Sequence, residues 1–271
     1  MLGLGGLLGQ HPKGPIRIPV VAAPAIPFGV YYTPLYPPLG SDELRARLGG
    51  WLDQHVEEPL RGALKPVVAS AELLSYLDLH KTALPPPTDA AQTGATAEEA
   101  AKLERAWQVM AVTGHPAVQV PVFGLWAALA GAHSAAQELD GVAIDSTTHR
   151  VLRADLESPI AGDGRLQLAE HVTVCPLANS AGAATWRTLG MQKFGLPNLQ
   201  LRGALGDPTL LLVEIGQRLL DALLRANHGR EEPLAELEVG SELTVRGATA
   251  VHLQYLAGAD PLLDVSLPAA G

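Results

Sequence analysis

Asp145, Ser146, Thr147, Thr148 and His149 follow one another, an acid, hydroxyls and an imidazole gathered at one strand end and turn. Such a set could relay a proton, because a carboxylate can orient an imidazole that activates a hydroxyl. Turns use the same residue types, since Asp, Ser and Thr side chains bond their own backbone. A second gathering runs from His171 to Gly203, HVTVCPLANSAGAATWRTLGMQKFGLPNLQLRG, and contains the single cysteine, Cys175. In a regular strand His171 and Cys175 would share a face. Their four-residue spacing spans about 13 Å at roughly 3.3 Å per residue, too far for a direct thiolate–imidazole pair. Another histidine would have to serve as base, and the competing reading is an inert buried thiol. The catalytic candidates are therefore Cys175, His171, His149 and Asp145.

Trp186, Arg187 and Lys193 form a different kind of candidate, a platform for an anionic or aromatic ligand. Arginine offers a fork that matches carboxylate or phosphate. Trp186 and Arg187 fall on opposite faces of a strand, with Lys193 at the following turn, so a core-filling Trp186 beside an exposed charged strand fits the same residues. Asp145 and His149 with His115 or His171 could approach a metal, but two ligands do not make a site. The chain has no HExxH, no paired CxxC and no acidic calcium loop, so no metal and no cofactor is expected. Gly190 and Gly195 suit turns better than phosphates, and the GLGGLLG of the first residues has no strand before it. Asp260 with Asp264, and Glu231 with Glu232, read as solvated loop acids, since nothing pairs any two of them across a cleft.

The elements that must position these residues follow from composition and periodicity. The chain has 271 residues, 47% of them apolar and 17% charged, enough to bury a core without staples. A net charge of −9 and no basic stripe argue against nucleic acid. One cysteine gives no intramolecular disulfide, and the opening MLGLGGLLG lacks a basic n-region and is too short to span a bilayer. The expectation is a cytoplasmic protein with no membrane partner. Prolines limit IRIPVV and PFGVYY to edge strands or extended segments of an N-terminal arm, whose Tyr31, Tyr32 and Tyr36 either pack on their own domain or reach a neighbour.

Ser41 is expected to cap a helix through Leu52, and a short helix is expected over 71–80. The Pro-rich stretch 82–96 reads as a linker, followed by a helix from the Thr96/Glu99 capping box to about Val112 with Leu103, Trp107 and Met110 on one face. Residues 117–123 read as a strand, 125–139 as an Ala-rich helix and GVAIDS as a strand, with THRVLRADL pairing back on it. HVTVCPL, ATWRTLGMQ and PNLQLRG read as three more strands. Asp207 and Pro208 are expected as N-cap and N1 of the longest helix, Thr209 to Asn227, and four alternating segments follow it. Sequential pairing would make these strands antiparallel.

The Ala-rich helix running into GVAID, then TLGMQKFGLPNLQL, then the capped Leu-rich helix, is similar to a family of uncharacterised bacterial α+β domains. The likeness covers roughly residues 115–255 and rests on Thr188, Gly190, Met191, Phe194, Gly195, Pro197 and Leu199. It implies a fold and carries no activity. The sequence thus predicts an α+β protein, a mainly antiparallel sheet with a long C-terminal helix packed on it, preceded by a mixed helical and extended segment. Residues 1–95 would form the arm and helical segment, and 96–271 the α+β domain. The leading function is a non-catalytic binding or interaction module acting on a protein partner through the 184–202 hairpin or the arm. The alternatives are a hydrolase or transferase with a Cys175 nucleophile, and a structural homo-oligomer held by the Tyr-Pro arm.

Overall fold

A computed structural model describes residues 14–21, 26–34, 39–58, 60–75, 94–114, 121–152, 166–177, 184–204, 206–228, 230, 232, 234–245 and 249–267. In chain order these form β1 (Pro15–Pro19), β2 (Ile26–Tyr32), α1 (Ser41–His55), α2 (Leu60–Ser70), β3 (Glu72–Ser75), α3 (Ala97–Arg105), β4 (Gln108–Gly114), α4 (Pro121–Glu138), β5 (Val142–Asp145), β6 (Arg150–Val151), β7 (Thr173–Leu177), β8 (Thr185–Leu189), β9 (Asn198–Arg202), α5 (Thr209–Asn227), β10 (Glu236–Gly240), β11 (Glu242–Val245), β12 (Thr249–Leu256) and β13 (Leu262–Ser266). The expected linker at 82–96 up to residue 93, the opening residues through Lys13, Tyr36, His115 and the segment 153–165 lie outside the described residues.

The strands form a five-stranded sheet in the order β3-β4-β2-β5-β6, a six-stranded sheet in the order β11-β12-β13-β9-β8-β7, and a ribbon of β1 with β10. Every pairing is antiparallel except β9 with β13, where Asn198 to Leu201 run alongside Leu262 to Val265 in parallel. That one pair departs from the antiparallel expectation, because β13 returns beside β9 only after α5 and three further strands have intervened. The α+β class with mostly antiparallel sheets holds. α5 has 19 residues, but four strands follow it, so the long helix is not C-terminal.

The five-stranded sheet is buried on both faces. Phe28, Val30 and Tyr32 of β2 and Met110 and Val112 of β4 join a core with α1, α2 and α4. The alternate residues Tyr31, Val109 and Ala111 pack with Leu103 and Ala106 at α3. β2 is therefore an inner strand and not the edge predicted from its prolines. Its pairing with β5 starts at Phe28, so Pro27 faces β4 alone and its missing N–H interrupts only that side. Burying a tyrosine of this kind contributes roughly 2 kcal/mol, which secures Tyr31 and Tyr32 in their own chain. β1, with a proline at each end and a partner on one side, does fit the edge expectation.

Three expected elements differ in the structure. β4 carries apolar residues in succession, so its pattern does not alternate, and the expected helix to Val112 stops at Arg105 instead. Trp107 falls in the connection and is half-exposed. Glu72–Ser75, expected as helix, pairs with β4 as a strand. Pro121, expected within a strand, opens α4, where a first-turn proline loses no helical hydrogen bond. α2 contains Pro66, an unfavourable residue inside a helix, yet Leu64, Val67 and Val68 are buried and hold the helix in place. Other local signals hold: the Thr96/Glu99 capping box forms, with Glu99 N donating to Thr96 Oγ1 at 3.3 Å and Thr96 N to Glu99 Oε2 at 2.7 Å. α1 is capped by Gly40 without a side-chain bond, one residue before the expected Ser41.

α5 packs Leu212, Ile215, Leu219, Leu220 and Leu223 into the core that Leu199, Leu201, Leu253 and Val265 of the six-stranded sheet also enter. The same cluster contains the α1, α2 and α4 residues, so one continuous core joins the two sheets. Among the described residues no helix is long and apolar enough to cross a membrane.

Candidate functional site

The turn after β5 folds as its residue types dictate. Asp145 Oδ1 accepts from Thr147 N at 2.8 Å and Thr147 Oγ1 at 2.7 Å, and His149 N donates to Asp145 O at 2.8 Å. His149 takes φ 58, in the left-handed region, and its side chain is exposed. It does not join the buried cluster formed by its neighbours.

Asp145 Oδ2 accepts instead from Lys193 Nζ, 48 residues further along the chain. Lys193 lies on a short 3-10 turn, Met191–Phe194, bracketed by Gly190 at φ 107 and Gly195 at φ 75. Gly190 is required twice. Its backbone is left-handed, and a Cβ there would stand 2.5 Å from the His171 carbonyl oxygen and 2.9 Å from the Thr148 methyl. That close approach lets Lys193 Nζ also donate to His171 O, at 2.8 Å. The result is a polar junction between the end of β5 in one sheet and the β8–β9 connection in the other. The Lys193 and Asp145 side chains are 1% and 4% exposed.

Burial sets the charges here. It would raise the Asp145 carboxyl, but the Lys193 charge and the hydrogen bonds from Lys193 and Thr147 outweigh it and hold Asp145 below the usual carboxylate range. Burial draws the Lys193 ammonium below its ordinary value, against the pull of Asp145. The His171 imidazole, packed edge-on to Phe194 with centroids 6.2 Å apart, is pushed down to about 4 by burial first and the Lys193 charge second. It is neutral near pH 7, and its Nε2 has no hydrogen-bond partner among the described residues.

The remaining candidates sit elsewhere. Cys175 of β7 lies opposite Arg187 of β8, and its Sγ approaches the Arg187 carbonyl at 3.7 Å. Burial raises the thiol, with Arg187 opposing, so the sulfur is not an activated thiolate. Arg187 Nη2 pairs with Asp260 Oδ1 at 2.6 Å. Its register continues across the sheet through Gln200, Asp264 and Gln254, giving one polar face. Trp186 turns the other way and packs against the core, its Nε1 without a partner among the described residues. Trp186, Arg187 and Lys193 therefore do not converge on one surface. Sequence reasoning placed Lys193 at the turn after the strand, as part of a ligand platform. The available signal was the pair of glycines flanking MQKF, which permits a turn tight enough to fold inward.

Among the described residues no group of three or more His, Cys, Asp or Glu side chains is placed to hold a metal. Compared with protein-family models, curated proteins and solved structures, the chain matches none.

Proposed function

We propose that this chain is a non-catalytic binding module. The observation that supports this most is the closure of the Asp145–Lys193–His171 junction: the groups best suited to acid–base chemistry are used to brace two sheets and have no exposed surface for a substrate. A hydrolase or transferase using Cys175 would need a base at the sulfur. His171 Nε2 is unpartnered and the thiol is directed at a backbone carbonyl, so those atoms form no nucleophile–base pair. An oligomer held by the arm would have to use residues other than Tyr31 and Tyr32, which are interior. The likeness around Thr188–Leu199 to uncharacterised bacterial α+β domains belongs to this proposal as a fold relationship and brings no activity with it.

Iodoacetamide labelling of the native protein tests the reading, with Cys175 as the single reporter. Labelling slower than in the urea-unfolded chain is expected, because burial disfavours the thiolate. Fast, stoichiometric labelling of the native protein near neutral pH would overturn the non-catalytic assignment.

A further inference from the structure

Where β2 ends, the chain forms a cleft of about 280 Å³ against α1, α3 and the C-terminal end of α4. That volume is near the lower bound of small-molecule sites. Leu39 and Leu139 give it apolar walls, and three cations, Arg47, Lys102 and Arg105, line it together with the carboxylates of Glu138 and Asp140. Two of the cations are already held. Arg47 grips Glu138 through Nε at 3.1 Å and Nη2 at 3.0 Å, and Lys102 reaches Asp140 at 2.6 Å and Glu98 at 3.3 Å.

Arg105 differs. Its Nε donates to Ala101 O at 3.0 Å, and among the described residues its guanidinium has no carboxylate partner, which leaves the Nη groups to bind an acid. Thr33 Oγ1 donates to Arg105 O at 2.9 Å and ties that end of α3 to the end of β2. Tyr32 lines the same cleft, is 1% exposed, and its hydroxyl has no hydrogen-bond partner among the described residues. Buried hydroxyls in folded proteins are almost always satisfied, so an unsatisfied one beside a cleft marks a place for an external acceptor. Burial pushes the Tyr32 phenol up to about 12, so it stays a donor at neutral pH.

We propose that this cleft binds a small organic anion, the acid group on the Arg105 guanidinium and an acceptor on the ligand body at the Tyr32 hydroxyl. The proposal rests on the binding-module reading and names its ligand class. Three cations against two carboxylates leave the lining with one positive charge in surplus, in a chain of net charge −9, which favours a negative guest. Apolar walls favour a ligand with a ring or short hydrocarbon body over a bare inorganic ion.

The test is calorimetric titration of the full chain with benzoate, phenyl phosphate and, as the neutral control, benzamide. Saturable binding of at least one anion and none of benzamide is expected, and the better anion distinguishes a carboxylate from a phosphate site. Arg105→Gln should weaken that binding about tenfold or more, the size expected for a lost charge-assisted bond. Tyr32→Phe should weaken it several-fold without lowering Tm, because the hydroxyl has no internal partner to lose. No saturable anion binding, or undiminished binding to Arg105→Gln, overturns the site. If the site fails while thiol labelling stays slow, the non-catalytic reading stands. Release of phenol by the native chain but not by Arg105→Gln would uphold the site and overturn that reading.

Discussion

Removing either end of the Asp145–Lys193 pair should destabilise the protein strongly and with opposite pH dependence. In Asp145→Asn the Lys193 ammonium, 1% exposed, keeps only neutral acceptors such as the His171 carbonyl. In Lys193→Met the Asp145 carboxylate keeps the two Thr147 bonds but loses its counter-ion. Breaking a buried pair costs about 3–5 kcal/mol. Neutralisation sets a ceiling, because at pH 7 discharging a free lysine costs about 5 kcal/mol and protonating a free aspartate about 4 kcal/mol. The signs then separate. Where Lys193 is neutral in the folded Asp145→Asn protein but charged when unfolded, the unfolded state holds one more proton and stability rises by about 1.4 kcal/mol per pH unit. Where Asp145 is protonated only in the folded Lys193→Met protein, stability falls with pH by the same amount. Replacing both, Asp145→Leu with Lys193→Met, should recover a large part of the loss. Urea unfolding of the four proteins between about pH 6 and about pH 9 measures all of this. Single-variant losses below about 1 kcal/mol, or slopes of the same sign, would refute the reasoning that the pair is closed to water.

Two further outcomes are expected. His171 has a folded pKa of about 4 against an ordinary 6.5, so its stabilising effect is complete above the ordinary value and is lost as pH falls towards 4. The total is about 3 kcal/mol. In His171→Leu that part of the acid sensitivity should vanish from urea midpoints, and an unchanged pH profile would count against the assignment. Gly190→Ala should cost about 2 kcal/mol or more, because strain at φ 107 adds to a clash with the His171 carbonyl. Gly203→Ala, at φ 70 but with open space around it, should cost only about 1 kcal/mol of backbone strain. Equal shifts in Tm for the two would show that the carbonyl contact does not matter.

Sequence alone determined what is local. The span of α5, the Thr96/Glu99 capping box, the β5 strand with its Asx-type turn, and the strands after α5 follow from local pattern, although the N-cap of α5 is Pro208 without a side-chain bond and not the expected Asp207. Tertiary structure decided what depends on burial and on distant neighbours. β2 and β4 are inner strands with both faces covered, so neither shows the alternation that would identify it. β9 and β13 pair in parallel across a long excursion of the chain. Asp145 and Lys193 were each singled out, one for a catalytic set and the other for a ligand platform, but their meeting needed the packing of two sheets on one core. Tyr32 and Arg105 share a cleft for the same reason: β2 and α3 are far apart in sequence, and only the closed sheet brings a buried hydroxyl to a guanidinium that has no carboxylate partner among the described residues. A local pattern carries information about backbone preference, whereas the charge state and accessibility of a side chain depend on everything that surrounds it.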